Sequence, residues 1–264
     1  MYGNDPDNPL VKYYDQTLAV TSSGDIAWFV DQAKASGGPV LDLACGTGRI
    51  ALALAQAGLE VAAIDSSSAM LRRFQDRLVA QSPAIRSRIR IYEAGMHAFD
   101  VPGVFSTVIC CDAFFHNLTA DDQISCLRCV ASHLAPRGHF VFNIPNPTIG
   151  FLSYAASPEA QEFRKRDEYP LDNSSDTVLV EQAQYTDLFE QTITTRLRFT
   201  RLDAARDVVE SGESSWITRY TFRYEAIHLL YRCGFEVVSL TGNYTGAPVA
   251  EDSQLVFVAR WTGK

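Results

Sequence analysis

The sequence predicts an α/β protein built on a doubly wound, largely parallel sheet. Short apolar runs such as Val40–Leu43 and 59–64 alternate with segments whose apolar residues recur at helical spacing, as far as about residue 150. The connections between them are short, which favours a parallel sheet with helices on both faces. Ligands of such sheets bind beyond the carboxyl ends of the strands.

The elements of this first part follow from periodicity and from helix-end signals. Apolar residues at helical spacing predict helices, and short apolar runs between turn residues predict strands. Thr119 and Asp122 have the spacing of a capping box, and the serines from Ser66 onward supply an N-cap. In chain order we predict helices 10–20 and 24–36, strand 40–42, helix 50–57, strand 59–64, helix 69–78, strands 88–92 and 104–111, helix 119–134 and strand 139–144.

The pattern changes after about residue 150. Alternating, Thr-rich sequence between residues 177 and 222 predicts three antiparallel strands. Residues 151–166 predict a short helix followed by the basic patch Arg164-Lys165-Arg166, which we interpret as a solvated face. A helix at 224–231 and two strands, 235–240 and 255–261, complete the chain.

Composition narrows the classes of partner. The formal net charge is −8 and the pI about 5.1, which disfavours nucleic acid and anionic membranes. There is no apolar run of membrane-spanning length and no signal-peptide pattern at the N-terminus, so we expect a cytoplasmic protein. We expect the substrate to be a small molecule, and we expect the protein to bind neither nucleic acid nor membranes. A homodimer is a possible oligomeric state.

The six cysteines suit free thiols in a reducing compartment better than a disulfide framework. Cys126 and Cys129 form a CxxC pair, and His133 follows four residues later on the same predicted helix. These three could hold a metal ion. We favour structural thiols, because the segment is a regular helix without a second cysteine pair, and we expect no metal.

The stretch Val40–Ile50 predicts a strand, a tight glycine loop and a helix N-terminus. Such a terminus presents unpaired N–H groups, and Gly46 and Gly48 allow a ligand to approach the backbone. Gly46 to Ala51 matches G-x-G-x-x-A, with Asp65 about twenty residues on, and this fits NAD as well as S-adenosylmethionine. Asp42 would repel a pyrophosphate but would stabilise an ammonium or sulfonium group.

The run Asp42-Leu-Ala-Cys-Gly-Thr-Gly-Arg49 resembles motif I of the class I S-adenosylmethionine-dependent methyltransferases. The resemblance implies a Rossmann-like seven-stranded sheet of order 3-2-1-4-5-7-6, its last strand antiparallel. It also implies an inserted antiparallel β-sheet lid similar to the covering sheet of sugar-amine and glycine/sarcosine N-methyltransferases. We therefore predict an N-terminal helical cap at 1–36, a core at 37–148 and 223–264, and the insertion at 149–222.

The resemblance also implies the residues that bind S-adenosylmethionine. Asp65 would accept the ribose hydroxyls, Met70 would pack on the adenine, and the Cys111 carbonyl would receive the amino-acid end. Gly95 stands where many members carry the aspartate that accepts the adenine amine. The cofactor-binding residues so predicted are Tyr14, Asp42, Ala44, Gly46, Gly48, Asp65, Ser66, Met70, Gly95, Met96 and Cys111.

The predicted reaction is in-line transfer of a methyl group to nitrogen or oxygen of a small molecule. His116 is the candidate general base, although sugar N-methyltransferases place their histidine at the position of Asn117; His116 could instead cap the next helix. Tyr13 and Asn117 are candidate substrate contacts, and Tyr13 or Tyr14 could equally be core residues. The alternatives are an NAD-dependent oxidoreductase, a non-catalytic S-adenosylmethionine-binding module, and methylation of RNA or protein.

Overall fold

A computed structural model of the protein describes residues 5–21, 24–171 and 174–263. Its helices are α1 Pro9–Lys12, α2 Tyr14–Thr21, α3 Asp25–Ser36, α4 Arg49–Gln56, α5 Ser68–Val79, α6 Pro83–Arg86, α7 Ala120–His133, α8 Ile149–Ala155 and α9 Arg223–Arg232. Its strands are β1 Val40–Leu43, β2 Val61–Asp65, β3 Ile89–Glu93, β4 Phe105–Cys110, β5 Leu134–Ile144, β6 Arg164–Pro170, β7 Thr177–Asp187, β8 Thr192–Leu202, β9 Val208–Arg219, β10 Phe235–Thr241 and β11 Leu255–Trp261. Short 3₁₀ turns lie at Phe114–His116 and Pro158–Gln161.

The chain forms two compact units. The core unit comprises Ser23–Pro147 and Tyr220–Lys264, and the insertion unit comprises Met1–Ser22 and Thr148–Arg219. The predicted cap at 1–36 grouped α3 with the preceding helices, whereas α3 packs in the core unit, where Phe29 is fully buried. The predicted domain boundaries themselves stay a prediction.

The seven-stranded sheet of the core unit confirms the predicted topology. The strand order is β3-β2-β1-β4-β5-β11-β10, which is the order 3-2-1-4-5-7-6 with strands numbered within the sheet. Strand β11 runs antiparallel to both β5 and β10, and the strands from β3 to β5 are parallel. The carboxyl ends of β1 to β5 therefore lie along one edge, and the predicted cofactor residues other than Tyr14 lie at or near that edge.

Apolar side chains cover both faces of this sheet. Leu41 belongs to one buried cluster and Val40 to a second, as expected for adjacent residues on opposite faces of a strand. The first cluster includes Leu127 of α7 and Leu230 of α9, and the second includes Phe29 of α3. All four residues of β1 are buried, which is typical of a central parallel strand.

The insertion unit contains a four-stranded antiparallel sheet of order β6-β7-β8-β9. Three strands were expected, and the structure adds a fourth, β6. The residues Arg164-Lys165-Arg166 are exposed, as their interpretation as a solvated face requires, but they also begin this strand. Charged residues of this edge strand form ion pairs with neighbouring side chains; Lys165 Nζ lies 2.8 Å from Glu168 Oε2. Charged residues are common on edge strands because they oppose further pairing, and here they mask the strand pattern.

Helix-end signals read from the sequence are present in the structure. The Ser67 hydroxyl accepts the Met70 N–H at 3.1 Å, and Thr119 with Asp122 forms the predicted capping box of α7. None of the helices in the described ranges combines the length and the apolar character needed to cross a membrane.

Candidate functional site

The glycine loop joins β1 to α4 through backbone in the left-handed region. The φ angles are 60° at Ala44, 54° at Gly46 and 81° at Gly48. A Cβ at Gly48 would lie 2.2 Å from the Phe74 ring of α5, so glycine is required there for steric reasons as well as for its φ angle. Gly48 is the N-cap of α4 and offers no side-chain acceptor, so the helix begins without a side-chain cap.

Asp65, at the end of β2, binds this loop from the side. Its Oδ2 accepts the backbone N–H of Gly46 at 2.8 Å, and its Oδ1 accepts that of Ser67 at 2.8 Å. Burial raises the pKa of Asp65, and the hydrogen bonds from Ser67, Gly46 and Ser66 offset only part of that rise. A carboxylate has about four acceptor sites, so Asp65 has about one left for a hydroxyl donor while it holds the loop.

Asp42 is a buried carboxylate directly before the loop, with only 2% of its surface exposed. Its Oδ2 has no hydrogen-bond partner among the described residues. Burial raises the pKa of Asp42 to about 7, although the Ala51 backbone N–H and the charge of Arg49 oppose the rise. A buried acceptor without a partner is unfavourable unless a donor reaches it, and a cationic ligand group would meet that need.

The end of β3 completes this edge of the sheet. The Ala94 N–H donates to the Asp65 carbonyl at 3.0 Å, which places residues 94–97 beside the end of β2. Gly95 forms an isolated bridge with Ala98, and the ring of His97 lies next to Gly95. Met70, the predicted adenine contact, is buried at the start of α5.

Sequence reasoning missed a charged pair on the other side of the glycine loop. The guanidinium of Arg49 binds the carboxylate of Asp25 through two contacts, at 2.7 Å and 2.8 Å. Burial raises the pKa of Asp25, but the hydrogen bond and charge of Arg49 outweigh it and leave that pKa below its ordinary value. Arg49 Nη2 also approaches the Cys111 thiol at 3.4 Å. The side chain of Cys111 thus takes part in a polar cluster, whereas the prediction concerned its carbonyl.

Asp112 and Asn143 extend this cluster across the ends of β4 and β5. Asp112 adopts a φ of 49°, and its N–H donates to Asn143 Oδ1 at 2.9 Å. Asn143 Nδ2 donates in turn to the Asp112 carboxylate. Ligand atoms of Asp25, Cys111 and Asp112 lie within 4.8 Å of one another, but the Arg49 guanidinium already supplies the positive charge there.

Two signals could have pointed to this cluster. Asn143 is a polar residue in the otherwise apolar run of β5, and it is fully buried. Arg49 directly follows the glycine loop at the start of an apolar helix. A buried polar side chain needs a partner, so both positions were candidates for a contact at the carboxyl edge of the sheet.

The segment after β4 places the candidate base and its neighbour. His116 ends a 3₁₀ turn, half-buried, with its ring centroid 5.1 Å from that of Phe115. Asn117 is 2% exposed, and its Nδ2 donates to the Phe114 carbonyl at 2.9 Å and to Met96 Sδ at 3.0 Å. Asn117 therefore joins this turn to the end of β3, and its predicted substrate role stays a prediction, as does the role of His116.

Tyr13 and Tyr14 belong to the insertion unit. Tyr13 is 4% exposed and stacks on Phe199, with ring centroids 5.7 Å apart. Tyr14 packs against the same apolar cluster. These contacts agree with the core interpretation of Tyr13, while the predicted contacts of both tyrosines with cofactor or substrate stay predictions.

The histidine of the CxxC segment is held by backbone groups. His133 Nδ1 lies 2.8 Å from the Cys129 carbonyl, and its Nε2 accepts the Val101 N–H at 3.3 Å. One neutral tautomer, protonated at Nδ1, satisfies both contacts. With both ring nitrogens engaged, His133 has a structural role, as expected.

Comparison with known proteins agrees with this geometry. Residues 40–138 match a family described as a methyltransferase domain. The cypemycin N-terminal methyltransferase of a Streptomyces species is 26% identical over 96% of this chain and 95% of its own length. Two solved structures share the fold: the CcbJ methyltransferase from Streptomyces caelestis (TM-score 0.75, 23% identity, 99% of this chain and 98% of that one) and an S-adenosylmethionine-dependent methyltransferase from Clostridium acetobutylicum (TM-score 0.77, 17% identity, 98% and 100%).

Proposed function

We propose that the chain is a class I S-adenosylmethionine-dependent methyltransferase and that its acceptor is an amine nitrogen of a small molecule. The choice of nitrogen is supported by the cypemycin relative, whose name places its reaction at an N-terminus. The acidic balance of the chain supports a small acceptor over nucleic acid. The proteins compared above are methyltransferases, which leaves the NAD-dependent oxidoreductase without support.

The partnerless carboxylate oxygen of Asp42 is the observation that carries the proposal. S-adenosylmethionine, when bound, supplies an activated methyl group on a cationic sulfonium together with an α-ammonium group. A buried acceptor beside the glycine loop suits such a cation and would repel a pyrophosphate. The residues of this site therefore fit the cofactor.

The other loop residues would position the nucleoside. Asp65 holds the loop through three N–H groups and has about one acceptor site left, at which it would accept the ribose hydroxyls. Gly46 would allow the backbone to approach the ligand closely. At Gly48 the missing Cβ makes room for Phe74, and its predicted contact with the cofactor is through the backbone alone. Met70 and Met96 would pack against the adenine. Ala44, Ser66 and Cys111 would contact the cofactor through their backbone groups.

His116 would take the proton that the amine loses during transfer. Methyl transfer requires a neutral amine, and a base beside the acceptor removes the proton that becomes acidic as the new bond forms. Alignment of the acceptor lone pair with the methyl group supplies much of the remaining acceleration. The proposal also keeps the predicted contact of Tyr14 with the cofactor and those of Tyr13 and Asn117 with the substrate.

A paired-acceptor assay tests the proposal. The protein is incubated with methyl-labelled S-adenosylmethionine and matched acceptors: amino sugars against the same sugars with hydroxyl in place of amine, and free against N-acetylated short peptides. We expect label only on members with a free amine. Transfer to the hydroxyl members would contradict the choice of nitrogen, and lack of S-adenosylmethionine binding at millimolar concentration would contradict the activity itself.

A cytoplasmic location belongs to the same proposal. All six cysteines are free thiols, which suits a reducing compartment. Localisation of a tagged full-length chain in the source cell would test this, and the mass of the protein in solution would test for a homodimer.

A further inference from the structure

We propose that the imidazole of His97 is the hydrogen-bond partner of the cofactor's adenine amine, in place of the side chain that Gly95 lacks. This inference rests on the proposed function, because it concerns the ligand of the same site. It assigns a specificity-determining role to a residue outside the set of site residues predicted from the sequence.

The path of the ligand follows from strand order. Strands β1, β2 and β3 are adjacent and parallel, so their carboxyl ends follow one another along a single edge. The cationic end of the ligand is assigned above to Asp42 on β1 and the sugar hydroxyls to Asp65 at the end of β2, so the base, at the other end of the ligand, lies toward the end of β3. That end is residues 94–97, and the Ala94 N–H donates to the Asp65 carbonyl at 3.0 Å.

Gly95 leaves space at this strand end, and His97 borders it. A Cβ built at Gly95 would lie 3.3 Å from Cε1 of His97, 3.7 Å from Nδ1 and 3.8 Å from Nε2. The edge of the ring that carries both nitrogens therefore faces the volume that a longer side chain would fill. The His97 side chain is exposed, and its ring nitrogens have no hydrogen-bond partner in the described parts of the chain.

The chemistry of the ring suits an adenine edge. The adenine amine is a donor, and neutral imidazole offers one acceptor nitrogen and one donor N–H. His97 can therefore accept the amine hydrogen, as a carboxylate at position 95 would. The position of the His97 ring thus depends on glycine at position 95, because a longer side chain there would occupy the space beside the ring.

A cycle that changes both the protein and the ligand tests the contact. Calorimetry would compare S-adenosylhomocysteine with its des-amino analogue, in which purine replaces adenine. His97→Ala is expected to weaken S-adenosylhomocysteine roughly 3- to 10-fold, the effect of one neutral hydrogen bond. The same variant should leave the affinity for the des-amino analogue unchanged, because that ligand has no amine to donate.

Two further variants exclude a general effect on folding. His228 is an exposed histidine of α9 in the core unit, so His228→Ala should leave both affinities unchanged. Gly95→Asp in the His97→Ala background should restore selectivity for adenine, because the ring that a side chain at 95 would crowd is then absent.

The outcomes separate the two proposals. Equal weakening of both ligands by His97→Ala, or no weakening of either, would overturn the role of His97 while leaving S-adenosylmethionine binding established. A wild-type protein that binds neither ligand would overturn the proposed function, and this inference with it.

Discussion

The carboxylate of Asp65 accepts the backbone N–H of Gly46 at 2.8 Å and so ties the glycine loop to the end of the neighbouring strand. Asp65→Ala removes this acceptor and leaves the N–H groups of Gly46 and Ser67 without it. We expect a loss of roughly 1–3 kcal/mol in the free energy of unfolding and at least tenfold weaker binding of S-adenosylhomocysteine. Urea unfolding and calorimetry measure the two effects.

Asp76 provides the matched control for this substitution. It is an exposed acid on α5 of the same unit. Asp76→Ala should change neither the unfolding free energy nor the affinity appreciably. Wild-type affinity in Asp65→Ala would show that the carboxylate only holds the loop and does not bind the nucleoside.

The raised pKa of Asp42 predicts a pH-dependent affinity. Because that pKa is about 7, the carboxyl is largely protonated at pH 6, whereas a bound cation favours its charged form. S-adenosylmethionine should therefore bind more tightly as pH rises from 6 to 8, with release of a proton below pH 7. Calorimetry in buffers of different ionisation enthalpy detects that proton. Asp42→Asn should bind more weakly and with little pH dependence; an unchanged pH profile would contradict a cation at Asp42.

The same residue predicts a pH-dependent stability. The folded pKa of about 7 lies above the ordinary value of 3.8, so the folded state binds a proton that the unfolded state releases between these values. The contribution of Asp42 is complete below about pH 4 and is lost as pH rises through 7. Asp42→Asn should remove this pH-dependent contribution to stability. The unfolding free energy of the variant, measured relative to that of the wild type, should therefore increase from pH 5 to pH 8. Parallel profiles of the two proteins would refute the shift.

Gly48 and Gly58 allow steric clash to be separated from backbone strain. Both have positive φ, 81° and 94°, but a Cβ at Gly48 would meet the Phe74 ring, whereas nothing lies within 4 Å of one at Gly58. Gly58→Ala should cost about 1–2 kcal/mol of unfolding free energy from the left-handed backbone alone. Gly48→Ala should cost roughly 1–3 kcal/mol more, because the loop or α5 must move. Equal losses in denaturant titrations would mean that the loop does not need its close contact with Phe74.

The ion pair of Arg49 with Asp25 is expected to stabilise the core unit. Asp25 is buried, so Arg49→Met would leave a charged carboxylate without its partner, at a cost of roughly 3–5 kcal/mol in unfolding free energy. It should also raise the pKa of Asp25, which Arg49 now lowers. Arg196 and Glu213 form an exposed pair at 2.9 Å, so Arg196→Met should cost about 1 kcal/mol or less. Similar losses in both variants would show that burial does not strengthen the first pair.

The role of His116 as a base predicts a kinetic signature. With an amine that the wild type methylates, His116→Ala should lower kcat by roughly 100-fold or more while leaving the affinity for S-adenosylhomocysteine unchanged. The deficit should narrow at high pH, where solvent accepts the proton more readily. His228→Ala serves as the control of equal chemistry on an exposed helix position. A His116→Gln variant of full activity would instead indicate a role in the turn.

The core fold and the position of the glycine loop at the edge of the sheet could be predicted because their signals are local. Helices and strands each have a characteristic repeat of side-chain direction along the chain. The apolar residues follow these repeats, so helices and strands can be recognised in the sequence without knowledge of tertiary contacts. The glycine loop and Asp65 occupy the ends of successive strands, and parallel strands bring those ends together. The position of Gly46 and Asp65 at one edge of the sheet was therefore expected, whereas the hydrogen bond between them was found only in the structure.

Tertiary structure decided the contacts between distant segments. Asp25 meets Arg49 only because α3 packs on the core unit, and Asp112 meets Asn143 only because β5 lies beside β4. The relation of His97 to Gly95 likewise depends on how the turn after β3 closes. In each case the sequence shows the residue type but not its partner. The partner depends on how side chains pack, and packing leaves no periodic pattern in the sequence. The sequence alone therefore determined the fold and the nucleotide loop, and only the folded chain showed which polar groups surround that loop.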